Sequence, residues 1–554
     1  MGESSKAAQI EVEDIDHLGI VAGIVDEAGL VEEIDRRVGV DPQEIVSCGR
    51  ALKAMILNGL GFLSAPLYLF EEFFSGKATE HLIGAGIRPE HLNDDRLGRV
   101  LDKLFEAGLT DLFVGVASKA SERFGLPEPR SVHLDATSFH LHGHYDTDEE
   151  GEPEGIRITH GYSRERRPEL KQFVVDLMSA GEGGIPLFLR VADGNETDAA
   201  VFAELIKDFR GRLDFDALFV ADAALYGAEN LASLGNLRWL CRVPRTLSEA
   251  KRVLAETPRE AFVQSEAHEG YRIAQGKSDY GGVRQRWLVV HSEELEKAAR
   301  ERLERRLQRR ERELEREYWR LVSVKTFACQ ADALGAAQAF AAKNLGQHHR
   351  LASPPRVVEV ASYGNKRGRP AKGVEPEEVR YRVEVPIERD REAIDQELER
   401  AGRYLLATND GVEVMDSEGE QGLSAEELLT EYKGQSHVER GFKFLKDPLF
   451  FASSVFVKSP RRVAAIAMVM GLCLLVYALG ERSLREALAR AGASIRHQTG
   501  KQTPKPTLRW VFQLFQAIHL LRVDGVEQIS NLTEERRTIL DFLGHDCRRY
   551  YLLI

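Results

Sequence analysis

Apolar residues recur at three- and four-residue intervals through residues 15–125. The stretches LVEEIDRRV, GRALKAMILNGLGFL and RLGRVLDKLFEAGLTDLFVGVASKASERF carry the pattern, which predicts helices. Asn93 and Asp94 stand before the third stretch as N-caps. A Pro-containing linker, GLPEPRS at 125–131, then ends the helical region. From 131 the pattern shortens to strands: VHLDATSFHLHG, GIRITHGYS, QFVVDLMSA and IPLFLRVADGN. A helix, DAAVFAELIKDFRGRL, follows, then a short strand ALFVADAAL, a helical GAENLASLG and a strand LRWLCRVP. That succession is the element order of an RNase H-like α/β domain.

Residues 245–403 interrupt the order. They hold a hairpin-like pair, GYRIAQGK and QRWLVVHS, and a highly charged helix over 293–323. The nine Arg and six Glu of 300–320 predict a solvated face or a helix pairing with a second subunit. Regular structure resumes at RYLLATND, 403–410, followed by one long helix, SAEELLTEYKGQSHVERGFKFLK. Ser424 with Glu427 three residues on has capping-box spacing, and Pro448 ends the helix after Lys446. The 17-residue apolar run at 463–479 is at the short limit for a membrane span of about 20 residues. Its many small residues predict a buried core helix and no membrane contact.

Charge changes the picture locally. The chain is acidic at −13 overall, which excludes an indiscriminate polyanion binder. Residues 1–125 hold 22 acids against 12 Lys and Arg, while 440–509 hold 13 Lys and Arg against 3 acids. The second segment therefore predicts a local nucleic-acid surface. Five scattered cysteines without a C-x-x-C pair argue against a disulfide framework and for a reducing cytoplasm. The N-terminus lacks the form of a signal peptide.

The candidate chemistry lies in three acids. Asp135 sits inside the first strand of the α/β unit, and Asp222 where the fourth strand ends. Carboxylates on adjacent central strands repel unless a cation lies between them, and an all-oxygen site suits Mg²⁺ or Mn²⁺. A third acid is expected from a helix beside the sheet. Tyr432, Glu439 and Lys446 are spaced seven apart, with Gln435 four before Glu439, so all four share one helix stripe. Glycines 434 and 441 on that helix suggest close approach of another backbone, such as DNA.

HLDATSF, VADAALYGAEN and EYKGQSHVERGFKFLK together resemble the DDE transposases of bacterial insertion sequences. The likeness is greatest to the insertion sequence four superfamily, whose third acid lies in a Y-x2-R-x3-E-x6-K signature; here Gln435 stands in place of its Arg. The resemblance implies an RNase H-like catalytic domain interrupted by an insertion domain and preceded by a mostly helical domain. On that basis 1–125 is an end-recognition or dimerisation domain, 131–244 the first half of the core and 245–403 the insertion. Residues 404–490 are the second half and 491–554 a C-terminal helical tail. It also implies that Asp135, Asp222 and Glu439 hold two Mg²⁺ ions, with Mn²⁺ able to substitute. The partners implied are terminal inverted repeats and target DNA, engaged by a homodimer in the bacterial cytoplasm.

Around the acids, Tyr432, Gln435, Lys443, Lys446, Arg461 and Arg462 are candidate DNA contacts, and Thr137 could support Asp135 from two residues away. Arg367 and Arg369, in KRGRPAK, resemble a minor-groove AT-hook core as readily as a solvated basic loop. Asp176, Asp193 and Asp410 are rival acids. His140, His142 and His144 alternate on one strand face, the pattern of a zinc site or simply of polar strand-end positions. Two other functions stay open at this stage: an RNase H-like DNA nuclease, and a DNA-binding scaffold without an active site.

Overall fold

The computed structural model describes residues 10–62, 65–142, 155–163, 167–213, 216–363, 375–412, 422–447 and 459–553. It divides into two units. The first comprises Met1–Cys241, Asp279–Gln285 and Thr408–Ile554; the second comprises Arg242–Ser278 and Arg286–Ala407.

In the first unit helices form at Leu18–Glu27, Leu30–Val38, Cys48–Gly59, Asp94–Glu106 and Leu109–Arg123, the third predicted stretch being divided in two at Ala107 and Gly108. Asn93 caps the fourth by accepting from Arg96 N at 3.0 Å. They pack around a 32-residue helix, Pro460–Ala491, which contains the apolar run. This helix has the length and hydropathy to cross a membrane, yet 89% of its apolar window is buried inside the protein. Its small residues admit close neighbours: a Cβ on Gly471 would sit 2.3 Å from Leu189 and 3.0 Å from Phe113.

A short strand, β1 (Ile10–Asp14), precedes the first helix and pairs antiparallel with His519–Val523, which pairs in turn with Val526–Ile529. The C-terminal segment, for which the sequence predicts a helical tail, thus combines this strand pair with helices at Leu508–Leu514, Glu534–Leu543 and His545–Arg549. Asp524 and Gly525 both take positive φ, 51° and 83°, the two-residue turn that joins twisted antiparallel strands.

The sheet of this unit is built from β2 (Ser131–Leu141), β3 (Lys171–Ala180), β4 (Pro186–Ala192), β5 (Leu218–Ala221) and β6 (Trp239–Arg242). Their order is β4-β3-β2-β5-β6. The first three are antiparallel, while β5 runs parallel to β2 and β6 parallel to β5. This is the RNase H-like arrangement. Nine of the ten residues of β3 are buried, as covering of both sheet faces requires. On one face Phe188 meets Phe209 of helix Asp198–Arg212 edge-on at 6.1 Å. On the other, Leu189 meets the long helix. The strand expected at 155–163 shrinks to a single bridge between Thr159 and Gln172; the Gln172 amide ties that segment through Tyr162 O and Gly194 O instead.

The second unit has most of the hairpin Tyr271–Tyr280 and Val283–Ser292, whose tip, Asp279–Gln285, is assigned to the first unit, and the charged helix Glu293–Trp319. Helix Gln330–Asn344 and the antiparallel pair Arg356–Ser362 and Glu378–Glu384 pack with it. Leu314, Leu321, Ala333, Ala337, Phe340, Val383 and Val385 form their common core.

Candidate active site

Asp135 lies on β2 and Asp222 directly follows β5. The parallel ladder pairs Ser131 with Leu218, Val132 with Phe219 and His133 with Val220. Carried two residues further, the same register sets Asp222 level with Asp135. Residues level on neighbouring parallel strands point to one face, with backbones about 4.8 Å apart. Both acids are half-buried. Asp135 Oδ1 accepts from Ala136 N at 2.9 Å, and Asp222 Oδ1 from Ala224 N at 2.8 Å. Cys241, paired with Ala221 on β6, has its thiol pushed well above its ordinary range by burial and by the Asp222 charge. The negative potential of Asp222 is thus felt inside the sheet.

The rival acids have other surroundings. Asp176 pairs across from Ala136 and points to the opposite face, where Arg190 binds it at 2.8 Å. Asp193 accepts from Arg157 N at 2.8 Å, and Asp410 from Arg238 at 2.7 Å and Leu423 N at 2.7 Å.

The helix expected over 424–446 is two helices, Ala425–Gly434 and Ser436–Leu445, meeting at Gln435. The capping box forms as its spacing indicates: Ser424 N donates to Glu427 Oε2 at 2.8 Å and Glu427 N to Ser424 Oγ at 3.2 Å. At the junction Gln435 N bonds Tyr432 O and Val438 N bonds Gln435 O. These three-residue steps tighten the turn and break the continuity that periodicity alone suggests.

This helix pair lies along β2 on the face of the two acids. A Cβ on Gly434 would sit 3.0 Å from the His133 ring. One on Gly441 would sit 3.1 Å from Leu474 and 3.7 Å from Leu177, the residue opposite Asp135. Lys446 Nζ stands 5.4 Å from the centre of the Phe139 ring. The glycines therefore admit side chains of the protein itself rather than another backbone. Gly434 to Lys446 covers about 18 Å of helix at ~1.5 Å per residue, and His133 to Phe139 about 20 Å of strand at ~3.4 Å. Interpolation brings Val438 and Glu439 level with Asp135. Val438 is buried and Glu439 exposed. Among the described residues, no group of three or more His, Cys, Asp or Glu side chains is gathered closely enough to hold a metal ion.

The remaining candidates distribute as follows. Thr137 is buried on the Asp135 face, Gln435 is buried at the helix junction, Tyr432 is half-buried and Lys443 is exposed. Arg461 stacks 5.6 Å from the Phe105 ring. Arg462 forms a two-pronged bond with Asp102, at 2.8 and 2.7 Å. His140 pairs with Ser163 at 3.0 Å. His144, Arg367 and Arg369 lie outside the described residues.

One network was not visible in the sequence. Ser131 Oγ donates to Glu431 Oε2 at 2.5 Å and lies 3.1 Å from His133 Nε2. Arg130 binds Glu427 at 2.6 Å. Burial, reinforced by His437, pushes the His133 imidazole down to about 3, so it is neutral. The network ties the first of the two helices to the strand that carries Asp135. The alternation of Ser131, His133 and Asp135 was the available signal, but the partners are some 300 residues away.

A family model described as a domain of unknown function (DUF4277) matches residues 10–118. A second, described as a transposase DDE domain, matches residues 127–476, more than half of the chain. No curated protein matches the chain. Among solved structures, the cryo-EM structure of a piggyBac transposase synaptic complex with hairpin DNA is similar at 8% identity and a TM-score of 0.37, covering 98% of this chain and 84% of that one. The chain belongs to the transposase DDE domain family and is a transposase enzyme.

Proposed function

We propose that this transposase cleaves DNA at the ends of an insertion sequence and joins the freed 3′ ends to target DNA, using Asp135, Asp222 and Glu439. The observation that supports the reading is the β2–β5 register, whose last pair is His133 with Val220 and which, carried two residues further, would set the two acids level. Their oxygens suit divalent ions of the Mg²⁺ or Mn²⁺ type, and Glu439 would complete the donor set from the adjoining helix. Bound divalent ions would polarise the phosphate and ease deprotonation of the attacking hydroxyl. In the first step a water oxygen attacks phosphorus and the 3′-oxygen leaves. In the second, that 3′-hydroxyl attacks a target phosphate and releases a target 3′-oxygen.

Tyr432, Gln435, Lys443, Lys446, Arg461 and Arg462 would position the backbones of end and target, with Thr137 steadying Asp135. A phosphate contact by Arg462 would have to displace Asp102. The stripe of Tyr432, Gln435, Glu439 and Lys446 supports membership of the Y-R-E-K group, and a homodimer would give each element end its own site. Glu439→Ala tests the ligand that comes from the helix: it should abolish Mg²⁺-dependent cleavage of end DNA while leaving DNA binding intact. Substantial cleavage by this variant would remove Glu439 from the triad. Cleavage without joining by the native chain would leave a hydrolytic nuclease instead.

A further inference from the structure

The charged helix Glu293–Trp319 turns Leu303, Leu307 and Leu314 inward. Arg302, Arg305, Arg309, Arg312, Arg316 and Arg320 recur three or four residues apart, and all six are exposed. At about 100° per residue they fall within a sector of about 80°, opposite the leucines, and span about 27 Å. The acids lie off this sector, and several are already engaged. Glu304 and Glu311 bind Arg389 at 2.9 and 2.6 Å. Glu313 binds Arg309 and Arg310 from the flank, at 3.2 and 3.1 Å. Trp319, 62% exposed, stands at the C-terminal end of the row.

Like charges at this spacing repel and weaken a helix, so the arrangement costs stability in the free protein. We propose that the row binds the phosphate backbone of duplex DNA without reading its sequence. The inference rests on the reading that this enzyme works on DNA, but not on the assignment of its acids. Duplex DNA presents one charge per ~1.7 Å with both strands counted, so a length matching the row carries about sixteen phosphates, of which only part faces it. The sequence alone predicts a solvated face or a helix pairing with a second copy; the pairing would need an apolar seam. Between Arg302 and Arg320 the sector holds only arginine.

The test uses the full chain and a duplex of about 40 base pairs lacking the element ends, with affinity measured over a salt series. In one variant all six arginines become Gln; in a second they become Lys; a third carries only Arg305→Gln, Arg312→Gln and Arg316→Gln. The six-Gln variant should flatten the slope of log affinity against log salt by about three to five, at roughly 0.9 per phosphate no longer neutralised. The three-site variant should flatten it by about half as much, and the Lys variant should keep it. Helical content and oligomeric state should not change. An unchanged slope in a folded three- or six-site variant overturns the proposal. So does a loss of oligomers with the slope intact, which would make the row an interface between copies. Failure of the native chain to bind any duplex would bring down the DNA reading itself along with this one.

Discussion

Asp135 and Asp176 lie one register step apart on the paired strands β2 and β3 and meet opposite surroundings. Asp176 is 1% exposed and faces Arg190, the residue directly across on β4. Glu196 binds the same guanidinium. Burial outweighs the arginine and pushes the Asp176 carboxyl up to about 6. Its Oδ1 has no hydrogen-bond partner among the described residues. Asp135 is only half-buried, and the β2–β5 register carried two residues past its last pair would set another acid, Asp222, level with it. A buried acid matched to an arginine is closed to outside cations. Two acids on one face, half-open, present a charge that a cation can answer. Burial and a perturbed carboxyl single out Asp176, whereas the identity of the strand neighbour singles out Asp135.

The largest effect should therefore come from exchanging each acid for its amide. Asp135→Asn or Asp222→Asn should reduce single-turnover cleavage of end DNA by at least ~10³-fold, about 4 kcal/mol of barrier. Asp176→Asn should leave the rate within about threefold. Comparable losses from both faces would mean that the arginine-matched acid also takes part in the chemistry.

Asp176 should instead show itself in stability. Its carboxyl is raised in the folded state, so the fold takes up protons between the ordinary aspartate value near ~3.9 and about 6. Its contribution is fully present below that window and is lost as pH rises through it. Denaturant midpoints of the native chain and of Asp176→Asn, compared from about pH 4 to pH 7, should differ in slope, with the amide variant's profile the flatter. Parallel profiles would show that Arg190 keeps Asp176 ionised throughout.

A smaller effect separates the two glycines over the acid face. At Gly434 an added methyl meets His133, itself held by Ser131. Overpacking costs of about 1–3 kcal/mol should outweigh the ~1 kcal/mol favouring Ala in helix propensity, so Gly434→Ala should lose about 1 kcal/mol. At Gly441 the nearest atom is a methyl of Leu474, which can turn aside, so Gly441→Ala should be near neutral in the same melts.

The positions of Asp135 and Asp222 were legible because a strand's apolar pattern and its order in the domain are local properties. The capping box at Ser424 was legible for the same reason. The break at Gln435 was not, since three-residue bonding there leaves the helical period almost intact. What faces Gly434 and Gly441 also escaped, because His133 and Leu474 reach them only through the fold. The Asp524–Gly525 turn could have been read and would have placed a hairpin among the helices of the tail. The arginine row was visible as spacing. The engagement of Glu304 and Glu311 away from the row depends on Arg389, whose place beside them no local pattern announces.

The smallest effect concerns another acid matched to an arginine, this time near the surface. Asp102 and Arg462 are each a little over a third exposed, at 37% and 38%, and Arg462 holds the Asp102 carboxyl below the usual range. A pair so open to solvent contributes about 0–1 kcal/mol, and salt screens it. Asp102→Asn should thus cost less than ~1 kcal/mol at low salt and almost nothing near ~1 M. Its second consequence is more telling. With Asp102 neutral, Arg462 is released from its two-pronged bond and can turn to a phosphate. The slope of log DNA affinity against log salt should then steepen by about 0.9, the increment for one more neutralised phosphate. An unchanged slope would leave Arg462 as a tie between its own helix and Asp94–Glu106, matched to an acid in the way that Arg190 is matched to Asp176, and would remove it from the DNA surface.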